Sequence, residues 1–291
     1  MEEQEKVVQT KEERLPLLLG VIGDPIIHSK SPAMHTAALK ACGIAGTYLP
    51  LHVKGEALSD AVQGIKALGF RGINVTVPHK VEVMKYLDII DEGALHIGAV
   101  NTIVNNGGVL TGYNTDGVGY IRSLKEETAP DLEGKTVLVI GAGGAARGII
   151  YALLKEKPGQ VIIANRTADK ARELASEWAD LGRINGCELE SLGDFLPKTD
   201  ILINTTSVGM YPQVTKTPID LGFLPEGIVV SDLIYNPLRT ELLRQAELKG
   251  CTIHNGLGMF IYQGAYAFEH WTGCPAPIEA MRAAVLDSMR L

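Results

Sequence analysis

The run Val137-Leu138-Val139-Ile140-Gly141-Ala142-Gly143-Gly144-Ala145-Ala146 reads as a buried strand that enters a glycine-rich turn and opens a helix. Gly141 suits the tight turn, and Gly143 and Gly144 let the backbone approach a pyrophosphate. Ala146 stands where a third small residue permits close helix–strand packing. The helix N-terminus offers free N–H groups and a partial positive charge to phosphates. The strand before and the helix after separate this pattern from an isolated structural turn. The next strand ends in Asn165-Arg166-Thr167. A carboxylate at that point would bind a ribose 2′-hydroxyl and repel a 2′-phosphate. Arg166 attracts the phosphate and can form two parallel charge-assisted bonds, Thr167 adds a hydroxyl, and Lys170 follows one helical turn beyond Arg166. This end of the chain therefore selects NADP over NAD; the alternative is a solvated basic helix start.

Outward from this motif, short apolar runs alternate with helical periodicity, the pattern of a parallel sheet covered by helices. In the second half the expected strands are Val137–Ile140, Val161–Ala164, Ile201–Asn204, Ile228–Asp232 and Cys251–His254. In the first half they are Leu17–Ile22, Thr47–Val53 and Ile73–Val77, the last stopped by Pro78. Val100–Val104 and Val109–Tyr113 flank Asn105-Asn106-Gly107-Gly108, a hairpin turn. Helices are expected from Ser31-Pro32 to Ala41, from Ala57 to Leu68, from Asp116 toward Glu127, after Asn255, and from the Pro-rich turn near Gly273–Pro277 to Leu291.

Composition narrows the class. The 291 residues suggest two domains. Hydrophobic residues make up 46% and charged residues 21%, enough apolar material for a sizeable core. Lys plus Arg number 27 and Asp plus Glu 34, giving −7, which argues against nucleic-acid binding. Cys42, Cys187, Cys251 and Cys274 are scattered, which fits a reducing compartment better than a disulfide framework. The seven histidines show no metal-binding spacing, and no apolar run approaches a membrane span. Residues 1–14, rich in Glu and Lys, read as a frayed tail. The expectation is a cytoplasmic α/β protein without a metal.

The first half carries clusters of small polar residues beside strands. His28-Ser29-Lys30-Ser31-Pro32 sets two hydroxyls at alternate positions before a helix, where they can hold a carboxylate or, in the case of Ser31, simply cap it. In Asn74-Val75-Thr76-Val77-Pro78-His79-Lys80, Asn74 and Thr76 share one face of a strand, and Lys80 follows where the strand ends. Asn101 begins a strand and Asp116 a helix. A Lys80–Asp116 pair ringed by amides and hydroxyls would suit a small, acidic, polyhydroxylated substrate, although spacing alone leaves open whether the two meet.

HSKSP (28–32), NVTVPHK (74–80), GAVNTI (98–103), GYNTDG (112–117), GAGGAARG (141–148), ANRT (164–167), INTTSVGM (203–210), DLIYNPLRT (232–240) and NGLGMFIYQGA (255–265) stand together in one order. In these motifs the sequence resembles the shikimate dehydrogenases from about Leu17 onward. The resemblance implies an α/β fold with two domains: an N-terminal substrate domain with a mostly parallel sheet (15–115 plus 256–291) and a Rossmann NADP-binding domain (116–255), with the active-site cleft between them. It implies reversible reduction of 3-dehydroshikimate to shikimate by NADPH, in a monomer or homodimer. Ser29 and Ser31 would bind the substrate carboxylate with Tyr235 nearby. Asn74, Thr76, Asn101, Asp116 and Gln263 would bind its hydroxyls and the reacting oxygen. Gly141, Ala142, Gly143, Gly144 and Ala145 would cradle the pyrophosphate, and Asn165, Arg166, Thr167 and Lys170 the adenosine phosphate. Leu233 and Gly256 would touch the nicotinamide end.

Hydride reaching a carbonyl carbon leaves negative charge on oxygen, and a nearby ammonium can supply the proton. Lys80 is the candidate, with Asp116 orienting it. Thr205 and Asn255 depart from the family, which often has Ala and Asp there. Three rivals stay open: an NAD-using quinate/shikimate dehydrogenase, which Asn165-Arg166-Thr167 disfavours; a non-catalytic NADP-binding regulator, which the presence of Lys80 and Asp116 disfavours; and a folate-linked dehydrogenase of similar two-domain architecture, which the dense match to the substrate motifs disfavours.

Overall fold

A computed structural model describes residues 15–128, 131–222 and 224–290. The tail expected over residues 1–14 lies outside them. The first half builds one six-stranded sheet from β1 (Leu17–Gly23), β2 (Gly46–His52), β3 (Gly72–Val75), β4 (Ile89–Ile90), β5 (Thr102–Asn106) and β6 (Val109–Tyr113), in the order β2-β1-β3-β5-β6-β4. β1 runs parallel to β2 and β3, and β4 parallel to β6; β5 is antiparallel to both its neighbours. The hairpin turns on Gly107 and Gly108, both at positive φ, as the sequence predicts.

The second sheet contains β7 (Thr136–Ile140), β8 (Gln160–Asn165), β9 (Ile184–Glu188), β10 (Ile201–Asn204), β11 (Val229–Asp232) and β12 (Thr252–His254), all parallel, in the order β12-β11-β10-β7-β8-β9. This is the doubly wound order, whose crevice opens where the winding reverses, between β7 and β10. Side chains alternate as period two requires. Val137, Val139, Val161, Ile163, Ile201 and Ile203 join one core, and Leu138, Ile140, Ile162, Ala164 and Leu202 the other. Two apolar layers thus sandwich the sheet.

Helices α1 (Ser31–Ala41), α2 (Leu58–Ala67) and α3 (Glu92–Ile97) belong to the first half; α4 (Asp116–Glu127), α5 (Gly144–Lys155), α6 (Ala168–Glu177), α7 (Leu192–Phe195) and α8 (Glu241–Leu248) follow. α9 (Leu257–Thr272) and α10 (Ile278–Met289) return to the first sheet, where Phe268, Trp271, Met281 and Val285 pack with Leu19, Met34 and Tyr48. Trp271 lies over Gly72, where any Cβ would collide with the indole, and its Nε1 donates to the Ile103 carbonyl at 2.9 Å. α4 packs on both α5 and α9, and its close seating rests on glycines. A Cβ at Gly117 would strike the Gly148 carbonyl, one at Gly119 the Gln263 backbone, and one at Gly258 of α9 the Ser123 hydroxyl.

Three details differ from the sequence reading. The third strand ends at Val75 rather than Val77, because its partner β5 begins at Thr102, opposite Asn74, and Val77 is exposed. Ser31 is the first helical residue rather than the cap; Lys30 holds the cap position without a side-chain bond. Arg166 sits in the turn before α6, so only Lys170 belongs to the helix.

Three histidines are buried, and in two of them burial lowers the pKa. His254 bonds the Ser123 and Ser231 hydroxyls at 2.7 and 2.8 Å, and burial lowers its pKa to about 4. His35 stacks on Tyr48, and burial lowers it to about 3. Below pH 6.5 the unfolded chain takes up protons that the folded rings refuse, so stability present above that pH is lost as pH falls. Urea unfolding across pH 7 to 4 should lose on the order of 3 kcal/mol through His254 alone, and His254→Gln should flatten that part of the slope.

Candidate active site

A cavity of about 380 Å³ opens between the two sheets' C-terminal ends, a size suited to a small ligand. Ser29, Ser31, Asn74, Thr76, Lys80, Asn101, Asp116, Tyr235 and Gln263 all line it, together with Leu233 and Gly256. Residues about 230 positions apart in sequence thus meet at one surface. Lys80 comes from the turn after β3, where its carbonyl accepts from Val100 N at 2.8 Å. Asp116 is the first residue of α4. Their side chains meet at 2.6 Å, Nζ to Oδ2, with exposures of 22% for Lys80 and 9% for Asp116. The ammonium therefore still reaches solvent while the carboxylate is almost enclosed.

A buried carboxylate needs its second oxygen satisfied. Asn101 Nδ2 donates to Asp116 Oδ1 at 2.8 Å and to Thr115 Oγ1 at 2.9 Å. Asn101 Oδ1 accepts from Thr115 N and from Thr102 Oγ1, both at 2.9 Å. Every hydrogen of the Asn101 amide is thus engaged with protein, and its geometry serves to orient Asp116. Asn74 is similarly tied. Its Nδ2 donates to the Asn101 carbonyl and to Thr102 Oγ1 at 3.2 Å, and its Oδ1 accepts from the buried Tyr48 hydroxyl at 2.7 Å. One lone pair of Asn74 Oδ1 is left for a ligand. Gln263, which lines the cavity, donates from Nε2 to the Phe260 carbonyl at 2.8 Å, which leaves its Oε1 as an acceptor. Ser29 Oγ accepts from Ser31 N at 3.3 Å. Tyr235 stacks on Phe260 at 4.5 Å, and burial raises its phenol above the ordinary range.

Tyr48, Thr102, Thr115, Met210, Met259 and Phe260 were not singled out by the sequence reading. All but Tyr48 lie inside quoted motifs. Tyr48 carries no local signal, because only the parallel pairing of β1 with β2 brings it near Asn74. His79, beside Lys80, is buried against the Val53 carbonyl and serves the fold.

The glycine-rich turn lies apart from this cavity, at the C-terminal end of β7. Gly141 has φ +108°, and a Cβ there would crowd the Thr205 hydroxyl. Thr205 Oγ1 donates to the Ile140 carbonyl at 2.7 Å, so this departure from the family pattern braces the turn from below. Gly143 and Gly144 face open space, room a pyrophosphate would take. Arg166 and Thr167 are exposed just beyond β8 and Lys170 in the first turn of α6, and among the described residues neither cation is in an ion pair. Asn165 turns its amide to the Thr167 carbonyl at 2.9 Å, and no carboxylate occupies the strand end. This donor set fits a nucleotide with a 2′-phosphate. Leu233 and Gly256 connect the two regions. Gly256 N donates to the Ile234 carbonyl at 3.1 Å, and a Cβ on Gly256 would strike the Leu233 carbonyl.

Comparison with known proteins agrees with this arrangement. Residues 21–103 match the shikimate dehydrogenase substrate binding domain, residues 123–217 the shikimate/quinate 5-dehydrogenase family, and residues 256–286 the shikimate 5′-dehydrogenase C-terminal domain. The chain is 47% identical over 271 residues to the NADP(+) shikimate dehydrogenase of Geobacillus kaustophilus, covering 93% of this chain and 98% of that protein. A crystal structure of a shikimate dehydrogenase in complex with NADP+ is 44% identical, with a TM-score of 0.89 over 94% of this chain and 96% of that one. The Thermus thermophilus shikimate 5-dehydrogenase, solved with NADP(H) and shikimate, is 36% identical, with a TM-score of 0.85 over 94% and 99%.

The saturated Asn101 amide makes a stability prediction. Asn101→Ala strands the Thr115 N–H and one oxygen of Asp116, and should cost on the order of 3 kcal/mol in urea unfolding. A loss below about 1 kcal/mol would show that these groups find other partners.

Proposed function

We propose that this chain, which belongs to the shikimate dehydrogenase family, catalyses the reversible reduction of 3-dehydroshikimate to shikimate with NADPH. The observation that carries this reading is the 2.6 Å Lys80–Asp116 pair, set where a hydroxyl- and amide-lined wall meets Leu233 and Gly256. In this reading residues 15–115 and 256–291 hold the substrate and residues 116–255 the cofactor. The Ser29 and Ser31 hydroxyls bind the substrate carboxylate, with Tyr235 closing over it. Asn74 Oδ1, Thr76, Gln263 Oε1 and Asp116 bind ring hydroxyls, and Asn101 keeps Asp116 aimed.

NADPH, when bound, supplies the hydride for the carbonyl carbon. The Gly141–Ala145 backbone and the N–H groups opening α5 cradle its pyrophosphate, and Arg166, Thr167 and Lys170 hold its 2′-phosphate. Lys80 donates its proton to the carbonyl oxygen as charge develops there, and in the oxidation direction its neutral amine takes the proton back. Asp116 fixes the ammonium in line with that oxygen. The residual exposure of Lys80 lets it exchange the proton with solvent. Support for NADP over NAD comes from Arg166 and Lys170, without an ion-pair partner among the described residues, standing where an NAD site would carry an acidic residue.

Steady-state oxidation of shikimate and of quinate, each with NADP+ and NAD+, tests the reading. Turnover should be high with shikimate and NADP+; comparable turnover with quinate and NAD+ would overturn both choices while leaving the Lys80–Asp116 pair. Lys80→Ala should lower kcat by roughly 100- to 10,000-fold with a much smaller change in the KM for shikimate. Arg166→Ala should raise the KM for NADP+ by about 10- to 100-fold and leave that for NAD+ nearly unchanged.

A further inference from the structure

We propose that Asp232 is a positioning residue for the hydride transfer, holding in place both loops that carry the cavity wall on the cofactor side; the proposal rests on the dehydrogenase reading above. Asp232 ends β11 and is fully buried. Among the described residues its carboxylate meets no cation. It accepts instead from three neutral donors: Asn204 Nδ2 at 3.1 Å and Ile234 N at 3.1 Å on Oδ1, and Thr240 Oγ1 at 2.7 Å on Oδ2. A buried carboxylate without a counterion is costly, and burial pushes its pKa up to about 6. The fold would be served more cheaply by a neutral side chain. What a carboxylate offers is acceptor capacity on both oxygens, so that three donors arriving from different segments converge on one point.

Those donors belong to the two loops that reach the cavity. Leu233 lies between Asp232 itself and Ile234, and Tyr235 between Ile234 and Thr240, so this segment is held at both ends. Asn204 is the register neighbour of Asp232 on β10 and opens the segment carrying Met210. Asn204 Oδ1 in turn accepts from Thr206 N at 3.0 Å and Thr206 Oγ1 at 2.7 Å, and Thr206 Oγ1 accepts from Val208 N at 3.2 Å. The Ile234 carbonyl receives Gly256 N, which locks Leu233 against Gly256. One carboxylate thus fixes the positions of Leu233, Gly256, Tyr235 and Met210 relative to Lys80, while the Arg166 turn lies on another strand and the pyrophosphate turn, at the end of β7, touches this network through Thr205.

The test separates the reactive end of the cofactor from its adenosine end. In Asp232→Ala, kcat for shikimate oxidation with NADP+ should fall at least about tenfold, while affinity for 2′-phospho-ADP-ribose, which lacks the nicotinamide, stays within about twofold of wild type. Asp232→Asn retains the acceptor facing Ile234 N and should recover most of kcat. An unchanged kcat in the alanine variant would overturn the proposal. So would a parallel fall in 2′-phospho-ADP-ribose affinity, which would mark a general loss of the sheet edge. If the alanine variant fails to fold, Thr240→Val removes one of the three bonds; kcat should then fall about threefold or more, and no change overturns the proposal. Wild-type protein that binds NADP+ but does not turn over shikimate would instead overturn the dehydrogenase reading, and this proposal with it.

Discussion

The close seating of α4 between α5 and α9 is the constraint on which the site depends. Gly117 lets α4 touch the Gly148 carbonyl of the nucleotide-side helix. Gly119 lets it touch the Gln263 backbone of the helix that returns to the first sheet. Any side chain at these points would push the helices apart by an ångström or more. Asp116 is the first residue of α4, so its distance from Lys80, which is anchored to the other sheet, follows from that packing. The ion pair is thus a product of helix–helix contact made several residues away. Thr115 reinforces it by donating to the Gln263 carbonyl at 3.0 Å while accepting from Asn101.

Around this pair the protein spends its polar groups on one another. Tyr48, Asn74, Thr102, Asn101 and Thr115 form a connected buried set in which nearly every donor has a protein acceptor. Such a network is rigid, because rotating one amide would leave several neighbours unsatisfied. It leaves few free groups facing the cavity: one lone pair on Asn74, the carbonyl end of Gln263, the serine and threonine hydroxyls, and the ion pair itself. Selectivity for a substrate of one shape follows from how few these are, since a ligand that misplaces a hydroxyl finds no alternative partner.

Much of this was legible in the sequence, for physical reasons that can be named. The strands of the second sheet are buried on both faces and read as apolar runs, and the glycine turn needs backbone conformations that only glycine adopts freely. Nine motifs in one order identified the lining of the cavity. The misses share a cause too. β4 is two residues long, β9 is a polar edge strand of Ile184-Asn185-Gly186-Cys187-Glu188, and α3 is barely more than a turn, so none has a periodicity to read. The saturation of Asn101 was invisible because its partners, Thr102 aside, arrive from thirteen or more residues away. Asp232 was visible only as a letter in a motif; that no cation among the described residues reaches it is a fact of three dimensions.

The contact between Trp271 and Gly72 bears on how the molecule is made. The indole lies over the third strand, donates to the fifth, and its own carbonyl is held by Arg71 Nε at 2.8 Å. One face of the first sheet is therefore roofed by chain that leaves the ribosome about 200 residues after the strand it covers. During synthesis the second sheet can complete itself from contiguous sequence while the first waits with an apolar face uncovered. A chain made from its N-terminus can therefore complete the second sheet first, whereas the first sheet gains its cover only when the returning helices close over the strands that emerged before them.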